Sequence, residues 1–305
     1  MRALVADGRG GVEIREVDEP RPERTEALVA VSAVSLNPFE VRSLGSAKEN
    51  WRPGSDVSGL VMTPAADGSG PPEGAGVVAL GRGGGWAERA ALPTEHMALL
   101  PDGLDPGRAA TLPVAGLTAL RALHAGGLMP DHRVLITGAS GGVGRFAVQL
   151  AAHDGAEVTA VIRKAERGED LDRLGAMHIA VGMPSEGEFD LILESAGGSS
   201  LAAALGMVAP RGTVVCFGNS SKEPTIFEAG SFFSKSGARL YAFTLFPELE
   251  RLGTGAHDLA HLAAMAAGGH LDTSIDMDVS WHDAGDAIEA LLARRVVGKA
   301  ILRID

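Results

Sequence analysis

The fold is decided by the stretch Arg133-Val-Leu-Ile-Thr137-Gly138-Ala139-Ser140-Gly141-Gly142-Val143-Gly144. Its strand-forming residues run directly into a glycine cluster that opens a helical segment. Gly141 would let the backbone approach a pyrophosphate, and Gly144 would let the helix pack closely on the strand. A helix that starts here supplies unpaired N–H groups and a partial positive charge to phosphates. The stretch therefore predicts a dinucleotide-binding loop over Ala139–Gly144, with an ordinary tight turn as the alternative.

Around this loop, apolar runs alternate with helical patterns. The predicted strands are Arg133–Thr137, Glu157–Ile162, Ile179–Val181, Phe189–Leu193, Gly212–Phe217 and Ala238–Leu245, and the predicted helices are Arg108–Leu128, Gly144–His153, Glu169–Gly175 and Ser200–Val208. Strands that alternate with helices predict a parallel, doubly wound sheet, so the fold class is α/β.

The first hundred residues have a different pattern, in which short strand-like runs lie between Pro/Gly-rich turns. The predicted strands here are Ala3–Ala6, Val12–Val17, Ala27–Ser35, Val57–Met62, Val77–Leu80 and Trp86–Leu92. They predict a small barrel-like β domain. After Pro247 we expect a helix to about Ala267, a second helix over Ala284–Arg294 and an apolar run at Lys299–Ile304. Because this tail is too small to fold alone, the predicted domains are residues 1–106 with 246–305, and residues 107–245.

The end of the second strand of the sheet indicates which cofactor is bound. A site for NAD places an acidic residue about 20 residues past the glycine loop, where it holds the ribose 2′-hydroxyl. Here the strand ends on Arg163-Lys164, 19 residues past Gly144, and no acid occupies that position. Two cations suit a 2′-phosphate. The alternative is that they are ordinary solvated charges at the end of a strand, with no role in cofactor binding. The predicted cofactor is NADPH.

Composition excludes several classes of function. The formal net charge is −12 and no Lys/Arg-rich run is present, which argues against nucleic acid as a partner. No stretch approaches the ~20 apolar residues that span a bilayer, and the N-terminus lacks a signal-peptide pattern. The single cysteine, Cys216, permits no internal disulfide. We expect a cytoplasmic protein, and the excess of Arg over Lys indicates a bacterial, GC-rich coding sequence.

A second nucleotide-binding family shares the loop spacing Thr137-Gly138-x-x-x-Gly142-x-Gly144. Short-chain dehydrogenases have it near the N-terminus and add a Tyr-x-x-x-Lys pair as acid catalyst. Here 136 residues precede the loop, and the only tyrosine, Tyr241, is followed four places later by Leu245. The chain does not fit that family.

Six motifs together carry a different resemblance. They are Ser35-Leu-Asn37-Pro38, Gly54-Ser-Asp56-Val-Ser-Gly59, Leu112-Pro113-Val-Ala-Gly116-Leu-Thr118-Ala119, the Ala139–Gly144 loop, Glu194-Ser-Ala-Gly-Gly198 and Val297-Gly298-Lys299. Over nearly all of its length the chain resembles the medium-chain dehydrogenase/reductase superfamily, more narrowly its zinc-independent quinone reductase and enoyl reductase branch. The resemblance implies a Rossmann doubly wound parallel sheet plus a discontinuous GroES-like β-barrel domain.

The resemblance also implies roles for individual residues. Asn37 would lie over the cofactor, where its amide bonds a substrate carbonyl or the ribose, although Asn-Pro is also a turn signal. Thr118 would lie near the nicotinamide, or would cap the start of a helix. The other implied cofactor contacts are Ala196, Gly218, Phe243, Thr244, Leu245 and Lys299, and Lys299 has the alternative of an ordinary solvated charge.

The zinc-dependent branch of this superfamily binds catalytic zinc through a Cys near the position of Asn37 and a Gly-His-Glu motif. The corresponding stretch here is Gly54-Ser55-Asp56, without a histidine, and the four-cysteine lobe for structural zinc is absent. Zinc needs three or four suitable ligands within reach. His257 and His261 are four residues apart and would form half a site, but an exposed polar helix face explains them better. We predict no metal.

A site without a metal favours hydride transfer to a carbon that conjugation has already made electrophilic, because an enone or quinone spreads the developing charge. We therefore expect an NADPH-dependent, zinc-independent reductase of quinones or α,β-unsaturated carbonyl compounds, with water as proton donor. The alternatives are a non-catalytic NADPH-binding sensor or scaffold, and a reductase of an unconjugated ketone. The last strand, Ala238–Leu245, is expected to pair with a second copy in a homodimer.

Overall fold

The computed structural model describes all 305 residues. They divide into two compact units, one formed by Met1–Leu117 with Leu249–Asp305, the other by Thr118–Glu248. The domain boundaries at 106/107 and 245/246 stay predictions. No helix is both long and apolar enough to cross a bilayer.

Fifteen strands and nine α-helices make up the regular structure. The strands are β1 (Arg2–Ala6), β2 (Val12–Glu16), β3 (Glu26–Ser35), β4 (Asp56–Thr63), β5 (Gly76–Leu80), β6 (Arg89–Pro93), β7 (Met97–Leu99), β8 (Arg133–Thr137), β9 (Glu157–Ile162), β10 (His178–Val181), β11 (Phe189–Glu194), β12 (Val208–Cys216), β13 (Arg239–Ala242), β14 (Ile275–Ser280) and β15 (Lys299–Arg303). The helices are α1 (Pro38–Ser43), α2 (Pro106–Ala110), α3 (Leu117–Ala125), α4 (Gly142–His153), α5 (Gly198–Met207), α6 (Ala229–Phe233), α7 (Leu245–Leu252), α8 (Gly255–Ala267) and α9 (Ala284–Leu292), with a π-helical turn at Leu112–Gly116.

The Thr118–Glu248 unit is built on a six-stranded sheet in the order β10-β9-β8-β11-β12-β13, with every neighbouring pair parallel. The apolar residues of β8 are completely buried, as expected of a parallel strand covered on both faces. Numbered within this unit, the order is 3-2-1-4-5-6, the doubly wound arrangement of dinucleotide-binding folds. The predicted parallel, doubly wound sheet is confirmed. Its strand order reverses between β8 and β11, where such sheets bind their ligands.

The other unit contains a seven-stranded sheet in the order β14-β15-β3-β4-β5-β7, with β6 also paired to β3, and a separate hairpin of β1 and β2. The ten-residue strand β3 is its centre, since it pairs antiparallel with β4, β6 and β15. Ile301 of β15 lies opposite Ser35 of β3, so the C-terminal segment extends the N-terminal sheet. Trp86 and Trp281 are fully buried in the core of this unit.

Three predicted helices differ from the structure, and the predicted strand Ala238–Leu245 ends at Ala242, since Leu245 already begins α7. The predicted helix over Glu169–Gly175 is wrong: this segment forms hydrogen-bonded turns. Gly168 lies before it and Gly175 adopts φ +106° at its end, so too few residues remain between them for a stable helix. The predicted helix over Arg108–Leu128 is divided into α2, the π-helical turn and α3, because Pro113 cannot donate a backbone hydrogen bond.

The predicted helix after Pro247 is likewise two helices. It breaks at Gly253, whose φ of +65° ends α7 before α8 begins at Gly255. Strand β14 was not predicted, although Ile275, Met277 and Val279 alternate with polar residues along it.

Candidate active site

The glycine loop joins β8 to α4 at the point where the strand order reverses. Gly138 adopts φ +64°, a conformation that favours glycine. A Cβ at Gly144 would lie 2.6 Å from the Cα of Ala139 and closer still to the carbonyl oxygen of Gly138. The helix therefore approaches the strand as closely as predicted. At Gly141, the residue before α4, a Cβ would meet only the Gly138 carbonyl, at 3.3 Å. The open side of the loop leaves room for the backbone N–H groups to meet phosphate oxygens.

The strand order reverses between β8 and β11, and we call this place the switch point. Across it from the glycine loop, the loop after β11 is held by a buried carboxylate. Glu194 accepts hydrogen bonds from the backbone N–H groups of Ala196 and Gly197, at 3.0 and 2.9 Å, and from the hydroxyl of Ser200 at 2.8 Å. The hydroxyl of Thr137, at the end of β8, accepts a hydrogen bond from the N–H of Ser195 at 2.8 Å. These bonds tie the carboxyl ends of β8 and β11 together and fix the position of Ala196.

The carboxyl end of β9 carries the two cations of the predicted 2′-phosphate site. Arg163 and Lys164 directly follow the strand and are exposed, and Lys164 Nζ lies 3.7 Å from the carboxylate of Glu166. The turns beyond them are anchored by Arg145 of α4, a buried guanidinium that donates from both terminal nitrogens to Asp170. Arg145 also holds the pKa of Asp170 below its usual value. A bidentate pair of this kind is rigid, so it restrains the segment after the two cations.

The carboxyl ends of β12 and β13 complete the same edge of the sheet. Gly218 packs against the loop after β11, since a Cβ there would lie 2.8 Å from the carbonyl oxygen of Ser195. Beyond β13, Phe243 is buried and donates its N–H to the carbonyl of Cys216 at 2.9 Å. Thr244 is exposed and Leu245, which begins α7, is buried.

The structure thus collects most of the predicted cofactor residues at one edge of one sheet, because the carboxyl ends of parallel strands lie together. These residues are Ala139, Ser140, Gly141, Gly142, Val143, Gly144, Arg163, Lys164, Ala196, Gly218, Phe243, Thr244 and Leu245. Thr118, at the start of α3, is buried. Asn37 and Lys299 belong to the other unit. The roles of all these residues stay predictions.

In that other unit, Asn37 and Lys299 meet in a buried polar cluster with Glu40 and Asp56. None of the four side chains is more than 3% exposed. Lys299 Nζ donates to Asn37 Oδ1 at 2.9 Å, to Asp56 Oδ2 at 3.3 Å and to the carbonyl of Leu36 at 3.3 Å. Asn37 Nδ2 donates to Asp56 Oδ2 at 2.9 Å and to Glu40 Oε2 at 3.1 Å. Lys299 is therefore a buried ion-pair partner of Asp56 and not a solvated surface charge.

Two backbone N–H groups complete the cluster. Ser55 donates to Glu40 Oε1 at 2.7 Å, and Val114 donates to Asp56 Oδ1 at 2.7 Å. Val114 lies in the π-helical turn, where a backbone N–H often lacks its usual helical acceptor. The cluster consequently connects four separate stretches of chain: the start of α1, the start of β4, the π-helical turn and the start of β15.

Burial sets the charge state of the two carboxyl groups. It raises the pKa of Glu40 to about 7, and the charge of Asp56 adds to that rise, while hydrogen bonds from Asn37 and Ser55 oppose it. Burial also raises the pKa of Asp56, but the ammonium of Lys299 and the N–H groups of Asn37 and Val114 oppose that rise. The negative charge of the cluster therefore resides on Asp56, next to the cation.

The cluster does not suit a zinc ion. No group of three or more His, Cys, Asp or Glu side chains is arranged to hold a metal ion. The ammonium of Lys299, 2.9 Å from Asn37, would repel a divalent cation at that position. A dinucleotide, in contrast, fits the glycine loop, where a Cβ at Gly144 would collide with backbone and the side of the loop at Gly141 is open.

Sequence reasoning did not assign Glu40, Glu194 or the Arg145–Asp170 pair to the site. Glu194 ends the apolar, buried run Leu191–Leu193, and a charge at that place was the available signal. Nothing local marks Glu40, which lies between the exposed Phe39 and Arg42. Nothing local marks Arg145 and Asp170 as partners, since they are separated by 25 residues.

A parallel sheet with a glycine loop at its carboxyl edge, together with a second, mainly β unit, is the architecture of a two-domain, dinucleotide-binding dehydrogenase. A family model described as zinc-binding dehydrogenase matches residues 174–302. The chloroplastic quinone-oxidoreductase QR1 of Triphysaria versicolor is 31% identical, over 99% of this chain and 98% of its own length. The acrylyl-CoA reductase AcuI of Ruegeria pomeroyi is 36% identical over 44% of this chain and 45% of its own.

Among solved structures, the Escherichia coli quinone oxidoreductase crystallised with NADPH superimposes with a TM-score of 0.86 at 20% identity, covering 99% of this chain and all of that one. The chain belongs to the medium-chain dehydrogenase/reductase superfamily, an oxidoreductase family, and is a relative of its quinone oxidoreductases. The predicted fold class, a Rossmann sheet plus a discontinuous GroES-like β domain, is confirmed.

Proposed function

We propose that this chain is an NADPH-dependent oxidoreductase that reduces a quinone or an α,β-unsaturated carbonyl compound without zinc. The observation that carries this function is the carboxyl edge of the parallel sheet, where the glycine loop and the N-terminus of α4 face the switch point between β8 and β11. Such an edge binds dinucleotides because its backbone N–H groups and helix dipole favour a pyrophosphate.

The preference for NADPH over NADH is supported by the end of β9. Arg163 and Lys164 stand there in place of the acidic residue that would hold a free 2′-hydroxyl. Arginine and lysine together favour a 2′-phosphate, and Arg145 with Asp170 restrains the turns that follow. The NADPH-bound structure of the E. coli quinone oxidoreductase supports the same cofactor.

Zinc independence is supported by the donor set of the buried polar cluster. Without a Lewis acid, the site suits an acceptor whose conjugation spreads the charge that develops on oxygen, which is the property of quinones and enones. The relatives named for quinones and for acrylyl-CoA share that chemistry.

When bound, NADPH supplies the hydride, and the chain binds, orients and desolvates the reactants. The glycine loop would hold the pyrophosphate, Arg163 and Lys164 the 2′-phosphate, and Ala196, Gly218, Thr118 and Phe243–Leu245 the nicotinamide half. Asn37 would donate an amide N–H to the carbonyl oxygen of the acceptor, where negative charge develops. Lys299 holds the amide oxygen of Asn37 by a bond of 2.9 Å and so orients that side chain.

We further propose a homodimer formed through β13. This strand is at the edge of the six-stranded sheet. Leu240 on it is half exposed, and two apolar side chains of the preceding segment, Ile226 and Phe233, are 86% and 80% exposed. Pairing with a second copy would cover this edge. Sedimentation of the wild type against Leu240→Lys tests the arrangement: a dimer that the substitution dissociates is expected.

The function is tested by NADPH consumption of the purified protein, with NADH in parallel, against quinones, enones and unconjugated ketones. Turnover with NADPH that is confined to conjugated acceptors is the expected result. Tight NADPH binding without turnover of any acceptor would favour a sensor or scaffold, and equal turnover of unconjugated ketones would favour a general carbonyl reductase. Unchanged activity after dialysis against a chelator is expected as well.

A further inference from the structure

The amide of Asn37 has no spare N–H in the buried polar cluster. Its Nδ2 carries two protons, of which one is donated to Glu40 Oε2 at 3.1 Å and the other to Asp56 Oδ2 at 2.9 Å. The amide oxygen faces Lys299 at 2.9 Å, and this orientation is required because an ammonium group can only donate. In this arrangement Asn37 cannot also donate to a substrate oxygen.

The two carboxylates that hold Asn37 differ in their partners. Asp56 has the ammonium of Lys299 at 3.3 Å as well as the N–H of Val114. Glu40 has only neutral donors, which are the amide of Asn37 and the N–H and side chain of Ser55. With one cation for two carboxylates, ionised Glu40 leaves an unbalanced negative charge in the interior, which is costly. Glu40 is therefore the group that takes up a proton, in accord with its pKa of about 7.

The two oxygens of Glu40 also differ. The hydrogen bond from Ser55 to Oε1 measures 2.7 Å, whereas that from Asn37 to Oε2 measures 3.1 Å. Protonation at Oε2 keeps the shorter bond and weakens the longer one, because a protonated carboxyl oxygen carries an O–H donor, loses its negative charge and has less capacity to accept.

We propose that Glu40 is a positioning residue that controls the hydrogen bonding of Asn37. Ionised Glu40 holds both N–H groups of the amide within the cluster, whereas protonated Glu40 releases one of them for the carbonyl oxygen of the acceptor. This role rests on the proposed function, in which Asn37 donates to the substrate. Glu40 itself contacts neither substrate nor cofactor.

Few other charged groups bear on Glu40. Asp56 faces it from β4, and Lys299 enters the same cluster from β15. Helix α9, which packs against α1, carries Asp286 and Glu289, and both are exposed to solvent. Arg42, on α1 itself, is exposed too. Solvent screens these last three charges, so the titration of Glu40 is set by burial and by Asp56.

The first test compares kcat/KM against pH, over about pH 5.5 to 9, for the wild type, Glu40→Gln and Glu73→Gln with an enone acceptor. Glutamine at position 40 is neutral at every pH and presents an NH₂ group to Asn37, so it reproduces the protonated state. The wild type is expected to lose kcat/KM above about pH 7, approaching tenfold per pH unit. Glu40→Gln is expected to keep the low-pH level throughout. Glu73 is an exposed glutamate of the same unit, and its variant is expected to behave as the wild type.

A second measurement needs no turnover. Infrared difference spectra between about pH 6 and pH 8.5 are expected to show the loss of a protonated-carboxyl band in the wild type and in Glu73→Gln, and no such loss in Glu40→Gln. Where Glu40→Gln does not fold, the wild-type spectrum decides, since no carboxyl titrating near pH 7 would overturn the role of Glu40.

The outcomes distinguish a failure of the proposed function from a failure of the role proposed for Glu40. A wild type that turns over no acceptor refutes the proposed function, while the infrared titration still reports the proton on Glu40. Identical pH profiles for the active wild type and Glu40→Gln overturn the positioning role alone, as does a band that persists in Glu40→Gln.

Discussion

The edge of the parallel sheet and the buried polar cluster are built by opposite means. The site at the sheet edge is built from backbone: glycines between Gly138 and Gly144 let strand and helix approach each other and leave the loop open at Gly141. In the cluster, four charged or amide side chains meet, and the backbone contributes only two N–H groups and one carbonyl. The sheet edge depends on glycines that lack a side chain, whereas the polar cluster depends on a balance between buried positive and negative charges. Substitutions should therefore damage the two in distinguishable ways.

The largest effect is expected at the only cation of the cluster. Lys299→Met leaves Asp56 and Glu40 buried without a positive charge, and breaking a buried pair in this way costs about 3–5 kcal/mol of the free energy of unfolding. Chemical denaturation at pH 8 measures it, with the exposed Lys48→Met as control. The loss should shrink at pH 5, where the carboxyls can take up protons. A loss at Lys299 no greater than at Lys48 would contradict the charge balance described for the cluster.

A smaller change in stability is expected from the proton on Glu40. Its pKa is about 7 in the folded protein and 4.5 as an ordinary carboxyl, so the folded state holds the proton more tightly. Below pH 4.5 both states are protonated and nothing is lost. Between pH 4.5 and 7 the unfolded chain alone gives up its proton, so the free energy of unfolding falls, by about 3 kcal/mol in full.

Denaturation of the wild type and Glu40→Gln at several pH values checks this linkage. The stability of Glu40→Gln relative to the wild type should rise between pH 4.5 and 7 and then level off. A difference that does not vary with pH would show that Glu40 has an ordinary pKa.

At the sheet edge the expected damage is steric. Gly144→Ala places a Cβ against Ala139 and Gly138, and overpacking of this kind costs about 1–3 kcal/mol. NADPH affinity should fall at least tenfold, because the loop and the helix N-terminus must separate. The matched control is Gly206→Ala in α5, where an added Cβ meets open space. Fluorescence titration with NADPH gives the affinity. Equal effects at both glycines would refute a backbone-built site.

The narrowest effect should be selective for one cofactor. Removing both cations in Arg163→Ala/Lys164→Ala is expected to weaken NADPH binding by about 1–3 kcal/mol and to leave NADH binding unchanged, since each charged hydrogen bond to phosphate contributes on that order. Paired titrations with the two cofactors measure the ratio, and Arg21→Ala, an exposed residue elsewhere, serves as control. If the binding of NADPH and of NADH weakened equally, Arg163 and Lys164 would not be the residues that bind the 2′-phosphate.

The difference between the two sites also explains what the sequence could predict. Strands β8 and β9 were predicted to the residue, because each is an unbroken apolar run that ends at a glycine or a cation. The glycine loop was predicted for the same reason: its function depends on neighbours in sequence. The turns at Glu169–Gly175 were predicted as a helix because local pattern alone does not show that Arg145 anchors Asp170.

The polar cluster was only half predicted. Asn37 and Lys299 were identified through family motifs, and their positions relative to each other could not be known, since 262 residues separate them. Glu40 and Asp56 look like ordinary charges until the sheet brings β4 and β15 to either side of β3. Their protonation depends on burial, which is a property of the assembled fold.

The pairing of β15 with β3 has a consequence for how the protein is made. Strand β3 leaves the ribosome more than 260 residues ahead of its neighbour β15, so one edge of the N-terminal sheet stays open through most of translation. Throughout that time Asp56 lacks the ammonium of Lys299 with which it pairs. The nucleotide-binding unit, whose strands all lie between residues 133 and 242, is complete earlier. The half of the protein that is synthesised first is thus the last to be finished.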